Sequence, residues 1–162
     1  MTMPTIQPAP VRHSVFVKAN TAKAFDVFTA GMSRWWAKTH KIGPANLDTI
    51  VLEPRAGGRW YEIDDDGSTC EWGKVLVWEP PHRLVLAWQI TPDFQYDPEL
   101  LTEVEVTFRA ESDGTRVSLE HRNLERFGER AEAMRGAVNS GWPLLLGLFT
   151  QNFKDRDSDA ES

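Results

Sequence analysis

The sequence has little of what marks a secreted or membrane-bound protein. It contains a single cysteine, Cys70, so an intrachain disulfide is excluded. No apolar run approaches the roughly 20 residues that a membrane-spanning helix needs. Residues 1–10 lack the basic region followed by an apolar one that a secretory signal requires. These absences together predict a cytoplasmic protein.

Positive charge is also scarce. Lys and Arg number 18 against 24 Asp and Glu, which gives a net charge of −6. A protein that binds nucleic acid usually carries a basic patch, and a protein that binds a membrane surface usually carries basic clusters. We therefore expect neither partner. Because the acidic balance keeps the chain soluble, we expect a monomer or a weak homodimer.

Motifs for metal, cofactor or nucleophilic chemistry are missing as well. The four histidines show no spacing typical of metal ligands. The sequence has no Gly-x-Ser-x-Gly elbow and no Cys-x-x-Cys pair. The Gly57-Gly58 pair opens a predicted strand rather than a helix, so it is not a phosphate-binding loop. We predict no metal and no cofactor.

What the sequence does have is tryptophan, at seven positions. Each indole offers a large apolar surface and one N–H that needs a hydrogen-bond acceptor. Such a set is typical of a bulky core, and equally of an aromatic-lined pocket. The tryptophans are Trp35, Trp36, Trp60, Trp72, Trp78, Trp88 and Trp142.

Alternation of apolar and polar residues predicts seven strands, and successive turn signals such as Ser112-Asp113-Gly114 predict an antiparallel meander. Two short helices are predicted between the first two strands, after a cap at Asn20 or Thr21. The predicted strands cover residues 11–18, 49–53, 59–64, 70–78, 83–90, 102–110 and 115–122.

A long helix is predicted over residues 128–154, where apolar residues recur every three or four positions. An apolar sheet face must be covered, and this helix is the one long amphipathic element left to cover it. We therefore predict an α+β fold in which a curved seven-stranded antiparallel sheet wraps the C-terminal helix. Residues 11–154 form this single domain, between a flexible arm (1–10) and a disordered tail (155–162). The helical stripe is Met134, Val138, Trp142, Leu145, Phe149 and Phe153.

The order and spacing of several short segments resemble the START-like superfamily, also called SRPBCC. Within it the chain is most similar to homologues of the activator of the 90-kDa heat-shock-protein ATPase. The resemblance implies a helix-grip fold with a cavity between sheet and last helix, a chaperone as partner and a role in stress response. The segments are Thr21-Ala22-Lys23-Ala24-Phe25, Arg34-Trp35-Trp36, Gly57-Gly58-Arg59-Trp60, Trp72-Gly73-Lys74-Val75, Glu79-Pro80-Pro81-His82-Arg83-Leu84 and Gly141-Trp142-Pro143.

Strand parity nominates residues that face such a cavity. His121 shares a face with Val117 and Leu119, so it points inward, either as a satisfied core histidine or as a ligand contact. Trp60 and Glu62 also share a face, and an inward Glu62 would need an Arg or His partner or have a raised pKa. The alternative is that their strand neighbours face inward and Glu62 is solvated.

These residues lead to three hypotheses of function. The first is binding of a small hydrophobic or amphipathic ligand, because aromatic walls with few polar groups are typical of small-molecule pockets. The second is a chaperone-interacting protein, on the resemblance alone. The third is a cyclase-like or dehydratase-like enzyme that uses His121 and Glu62 as acid and base. The predicted ligand-binding residues are Trp60, Glu62, Leu86, Trp88, His121, Trp142, Leu145 and Phe149.

Overall fold

Seven strands form where the sequence alternates. The computed structural model of the protein describes residues 9–161, and side chains as far as residue 153. All seven predicted strands are present, with small differences at their ends. The strands are β1 (Val11–Val17), β2 (Leu47–Leu52), β3 (Arg59–Asp64), β4 (Thr69–Glu79), β5 (Arg83–Trp88), β6 (Thr102–Glu111) and β7 (Gly114–Arg122).

The strands pair into one antiparallel sheet in the order β1-β7-β6-β5-β4-β3-β2. Six strands follow one another as a meander, and β1 joins the free edge of β7, with Val15 opposite Val117. At Gly73 the sheet is so tight that a Cβ atom would lie 1.7 Å from the carbonyl oxygen of Ala87 on β5. Glycine is therefore required at that point of β4.

Four helical segments complete the domain, and the longest packs on the sheet. The first helix is capped by Asn20, whose side chain accepts a hydrogen bond from the Lys23 N–H at 2.8 Å. The last helix continues through Pro143 and buries all but the first residue of its predicted stripe. The predicted α+β helix-grip fold is thereby confirmed. The segments are α1 (Thr21–Thr29), α2 (Met32–Trp35), a 3₁₀ turn (Leu124–Arg130) and α3 (Ala131–Glu161).

The predicted arm and the predicted tail fall mostly on residues whose placement or side chains the structure does not describe. Residues 1–8 of the predicted arm are not described, and neither is Ser162. The backbone of residues 155–161 continues α3, but their side chains are not described. Flexibility of the arm and disorder of the tail stay predictions. Among the helices of residues 9–161, none is both long and apolar enough to cross a membrane.

Candidate functional site

An apolar cavity of about 310 Å³ lies between the concave face of the sheet and α3. Trp72 comes from β4, Trp88 from β5 and Trp142 from α3, while Trp36 follows α2. The exposed lining residues Thr39, Phe94 and Ala137 mark the open side of the cavity, which we call the mouth. The cavity also contacts Lys41, His40, Ile90, Thr91, Gly141 and Leu145.

The tryptophans of the wall contact one another, mostly edge to face. The Trp36 ring centroid lies 5.3 Å from that of Trp72 and 5.9 Å from that of Trp142. The rings of Trp88 and Trp142 are 5.9 Å apart, and Trp60 packs behind the wall at 5.5 Å from Trp72. Each such pair contributes about 0.5–1.5 kcal/mol beyond burial of its area. The tryptophans thus serve as core and as cavity wall at once.

Three of the eight predicted ligand-binding residues line this cavity: Trp88, Trp142 and Leu145. The other five are fully buried around it without lining it. On β3 the first of the two parities occurs, since Trp60 and Glu62 are both buried while Arg59 is exposed. The five buried residues are Trp60, Glu62, Leu86, His121 and Phe149.

A charged cluster, formed by Lys41, Glu62 and Asp64, lies behind Trp72. The Trp72 indole N–H donates to Glu62 Oε1 at 2.8 Å, and the Ile42 backbone N–H donates to the same oxygen at 2.7 Å. The Lys41 ammonium lies 3.0 Å from Glu62 Oε2. The partner of the buried carboxylate is therefore a lysine from the α2–β2 loop, and not the Arg or His that the sequence suggested.

These donors decide the ionisation of Glu62. Burial alone would raise its pKa, but the neighbouring Asp64, together with hydrogen bonds from Ile42, Trp72 and Lys41, outweighs burial and holds the pKa at about 2. Asp64 is shifted the other way, because burial and the neighbouring Glu62 raise its pKa. At neutral pH the cluster therefore holds an ionised Glu62 beside the Lys41 ammonium.

The same corner of the fold contains the group of side chains, within residues 9–153, that comes nearest to a metal site. Ligand atoms of Glu62, Asp64 and Cys70 lie within 4.8 Å of one another. The Lys41 ammonium already contacts both carboxyl groups, at 3.0 and 3.3 Å. Burial also raises the pKa of the Cys70 thiol, which disfavours the thiolate that would bind a metal. A cation at this place is thus already supplied by the chain.

A neutral cluster, formed by Thr102, His121 and Trp142, lies on the other side of the wall. The Trp142 indole N–H donates to His121 Nδ1 at 3.2 Å, which puts the histidine proton on Nε2. Nε2 lies 3.0 Å from Thr102 Oγ1, and the Thr102 hydroxyl donates to the Trp88 carbonyl at 2.8 Å. Burial lowers the pKa of His121 to about 3. The imidazole is neutral and both its nitrogens have partners.

Two loops at the mouth contribute cavity residues that the sequence did not predict, since a loop has no periodicity that shows which of its side chains face inward. The loop after α2 contributes Thr39, His40 and Lys41, and is tied to the wall by the Trp36 indole N–H, which donates to the His40 carbonyl at 2.8 Å. The loop after β5 contributes Thr91 and Phe94. The signal for the second was an aromatic residue inside a polar loop.

Comparison with known proteins identifies the fold and the family. No curated protein matches the chain. An anthrahydroquino-γ-pyrone synthase solved in complex is 36% identical, with a TM-score of 0.64 over 90% of this chain and 97% of that one. The self-sacrificing resistance protein CalC from Micromonospora echinospora is 33% identical, with a TM-score of 0.69 over 91% of this chain and 95% of that one.

A third solved structure, the Aha1 dimer from Colwellia psychrerythraea, shares the fold at 18% identity, with a TM-score of 0.65 over 90% of this chain and 96% of that one. The family model described as activator of Hsp90 ATPase homolog 1-like protein matches residues 18–154, which is most of the chain. The predicted START-like assignment is confirmed, and the protein belongs to the family of activator of Hsp90 ATPase homolog 1-like proteins.

Proposed function

We propose that the protein binds a small, flat, largely apolar ligand in the cavity between the sheet and α3. The observation that carries the proposal is an open cavity walled by four tryptophans, with its hydroxyl, imidazole and ammonium side chains confined to two loops. Its volume of about 310 Å³ falls at the lower end of the range for small-molecule sites, about 300–1,000 Å³. An aromatic ring system would fill it and displace water from apolar walls.

The chemistry of the rim suggests how such a ligand is oriented. Thr39, His40 and Thr91 offer hydrogen-bonding groups near the mouth, whereas the interior is apolar. An amphipathic ligand would therefore place its apolar rings inside and its polar substituents outward. The 36% identical synthase, whose name describes a fused-ring pyrone, supports a flat aromatic compound as the ligand class.

The test is a titration of intrinsic tryptophan fluorescence with a library of flat aromatic compounds. Gly141 lines the cavity, and a Cβ added there meets nothing within 4 Å, so there is room for a side chain to begin and Gly141→Leu would narrow the cavity. Gly136 lies on the same helix with equally open space but does not line the cavity, so Gly136→Leu is the matched control. Both variants replace a helical glycine, which favours folding by up to about 1 kcal/mol.

We expect wild type and Gly136→Leu to respond to the same compounds and Gly141→Leu to lose at least about tenfold in affinity, which is 1.4 kcal/mol. No response of wild type to any compound would contradict the proposal. Equal affinities of Gly141→Leu and Gly136→Leu would mean that the ligand binds outside this cavity. Mass spectrometry of the compound recovered after incubation with the protein shows whether the protein converts it.

An enzymatic role is a second candidate, because a relative above 30% identity is a synthase. The acid–base pair that it would use is His121 and Glu62. Both are buried around the cavity, and each accepts the indole N–H of a wall tryptophan. These partnerships support a positioning role for the two residues, so we expect binding without turnover. Conversion of the compound by wild type, abolished in Glu62→Gln and His121→Asn, would reverse this expectation.

A chaperone-interacting role rests on family membership alone. A part in stress response goes with this alternative, and a cytoplasmic location is proposed independently of it. Its test is stimulation of the ATPase of the 90-kDa heat-shock protein, and absence of binding at tens of micromolar would remove it. Light scattering after size exclusion tests the proposed monomer or weak homodimer; an obligate tetramer would contradict it.

A further inference from the structure

The residue at the mouth with the largest exposed apolar side chain is Phe94. It lines the cavity, yet 67% of its surface is exposed to solvent. Its backbone φ angle is +61°, a left-handed conformation that bulky side chains rarely adopt. An exposed aromatic ring in a strained backbone conformation at the opening of an aromatic cavity suggests a function rather than a contribution to folding.

The turn that carries Phe94 is closed by its own hydrogen bonds. The Phe94 N–H donates to the Thr91 carbonyl at 2.9 Å, and the Thr91 N–H donates to the Gln95 carbonyl at 2.7 Å. The Gln95 N–H also donates to Thr91 Oγ1 at 3.2 Å. The turn thus has a defined shape without packing into the core. The hydrogen-bonded turn places the Phe94 ring at the mouth of the cavity.

This turn is tied to the fold mainly at its base. The Asp97 N–H donates to the Gln89 carbonyl at 2.9 Å, and Ile90 pairs with Tyr96 in an antiparallel bridge. Gln89, the residue after β5, anchors the far end of the loop through its Nε2, which donates to the Pro98 carbonyl at 2.9 Å.

Asp93 pairs with Arg130, just before α3, at 2.5 Å, but both side chains are more than half exposed. Exposed ion pairs hold a loop weakly. The turn is therefore anchored at its base, while its tip is held toward α3 by one weak, exposed contact.

We infer that Phe94 is the residue that closes the cavity over a bound flat aromatic ligand, with its ring against the ligand face that the tryptophan wall leaves uncovered. This inference rests on the proposed function. Without a ligand the Phe94 ring is largely exposed to water. An apolar ring of a ligand bound at the mouth would bury it. Because the contact forms only with bound ligand, it acts mainly on the rate of dissociation.

The same loop provides a matched control. Tyr96 is also an exposed aromatic residue, at 39%, but it does not line the cavity. The probe is 1-anilinonaphthalene-8-sulfonate, an amphipathic aromatic compound whose fluorescence rises in apolar sites. Its dissociation rate is measured by stopped flow for wild type, Phe94→Ala, Phe94→Gly, Phe94→Tyr and Tyr96→Ala. Phe94→Gly accepts a positive φ angle without strain, so it separates loss of the ring from backbone strain.

We expect the probe to leave Phe94→Ala and Phe94→Gly about tenfold faster than wild type, and Phe94→Tyr and Tyr96→Ala at the wild-type rate, since one aromatic contact accounts for roughly a tenfold change. Wild-type rates in both ring-deleted variants would overturn the inference while leaving the cavity site intact. Equal effects of Phe94→Ala and Tyr96→Ala would overturn it too. If Gly141→Leu binds the probe as wild type does, or wild type does not bind it, the proposed function fails and the inference fails with it.

Discussion

The charged cluster and the neutral cluster each hold a tryptophan of the cavity wall, but with acceptors of different charge. In each, a buried side chain accepts the indole N–H of a wall tryptophan: Glu62 accepts from Trp72, and His121 accepts from Trp142. Glu62 is surrounded by donors and stays ionised, whereas His121 has no acidic partner and stays neutral. The surroundings of a buried group, more than its type, decide whether it carries charge.

Glu62 and His121 share a role behind the tryptophan wall. A tryptophan side chain in a cavity wall needs a fixed orientation, and its N–H needs an acceptor when it is buried. Glu62 and His121 supply those acceptors from behind the wall. Both are therefore positioning residues of the proposed ligand site, and each can be altered to test how firmly it holds its tryptophan.

The largest effect is expected from Glu62→Ala. It would leave the Lys41 ammonium without its closest carboxylate and would deprive the Trp72 and Ile42 N–H groups of an acceptor. Breaking a buried ion pair from one side costs about 3–5 kcal/mol. Chemical denaturation measures the free energy of unfolding. Glu71→Ala is the control, because Glu71 pairs with Arg59 on the exposed side of the sheet and should cost less than about 1 kcal/mol. Equal losses would refute the structural role of the charged cluster.

A smaller effect is expected on the pH dependence of stability, which differs between the neutral and the charged cluster. His121 binds a proton in the unfolded chain below its ordinary pKa of 6.5, but in the folded protein only near 3. Its contribution to stability is therefore complete above pH 6.5 and is lost as the pH falls toward 3. Protonation of His121 in the unfolded chain alone lowers the free energy of unfolding by about 2 kcal/mol between pH 7.5 and pH 5. Glu62 contributes in a lower window, since its stabilisation is lost from pH 4.5 toward about 2.

Denaturation at pH 7.5 and pH 5 measures this difference. The loss of stability between the two pH values should shrink by about 2 kcal/mol in His121→Phe. It should remain in His82→Phe, which removes an exposed histidine. An unchanged loss in His121→Phe would mean that His121 is protonated in the fold.

The smallest expected effect compares the two wall tryptophans directly. Trp72→Phe removes a hydrogen bond to a charged group, worth about 1.5–3 kcal/mol, whereas Trp142→Phe removes a neutral one, worth about 0.5–1.5 kcal/mol. Both variants lose similar volume, so the difference between their unfolding free energies, about 1 kcal/mol, reports the charge on the acceptor. An equal cost, or a larger one for Trp142→Phe, would argue against ionised Glu62 and neutral His121.

The fold was predictable from the sequence because periodicity determines which elements form and which faces are apolar. Parity put Trp60 and Glu62 on one face of β3, but it could not decide which face, since that depends on the partner strands. Lys41 could not be assigned to Glu62 because their pairing joins a loop without periodicity to a strand. Register shifts between β3 and β4 near Trp60, and between β4 and β5 near Val75, further limit what parity can say of Trp72.

The most direct measurement of the ligand site uses the seven tryptophan indole N–H signals in a two-dimensional ¹H–¹⁵N NMR spectrum. On addition of the aromatic compound that binds most tightly, we expect large shifts of the indole signals of the four wall residues Trp36, Trp72, Trp88 and Trp142. Trp78, which packs against Phe25 away from the cavity, should keep its signal unchanged. Shifts at Trp78 with the four wall signals unmoved would contradict the proposal that this cavity is the binding site.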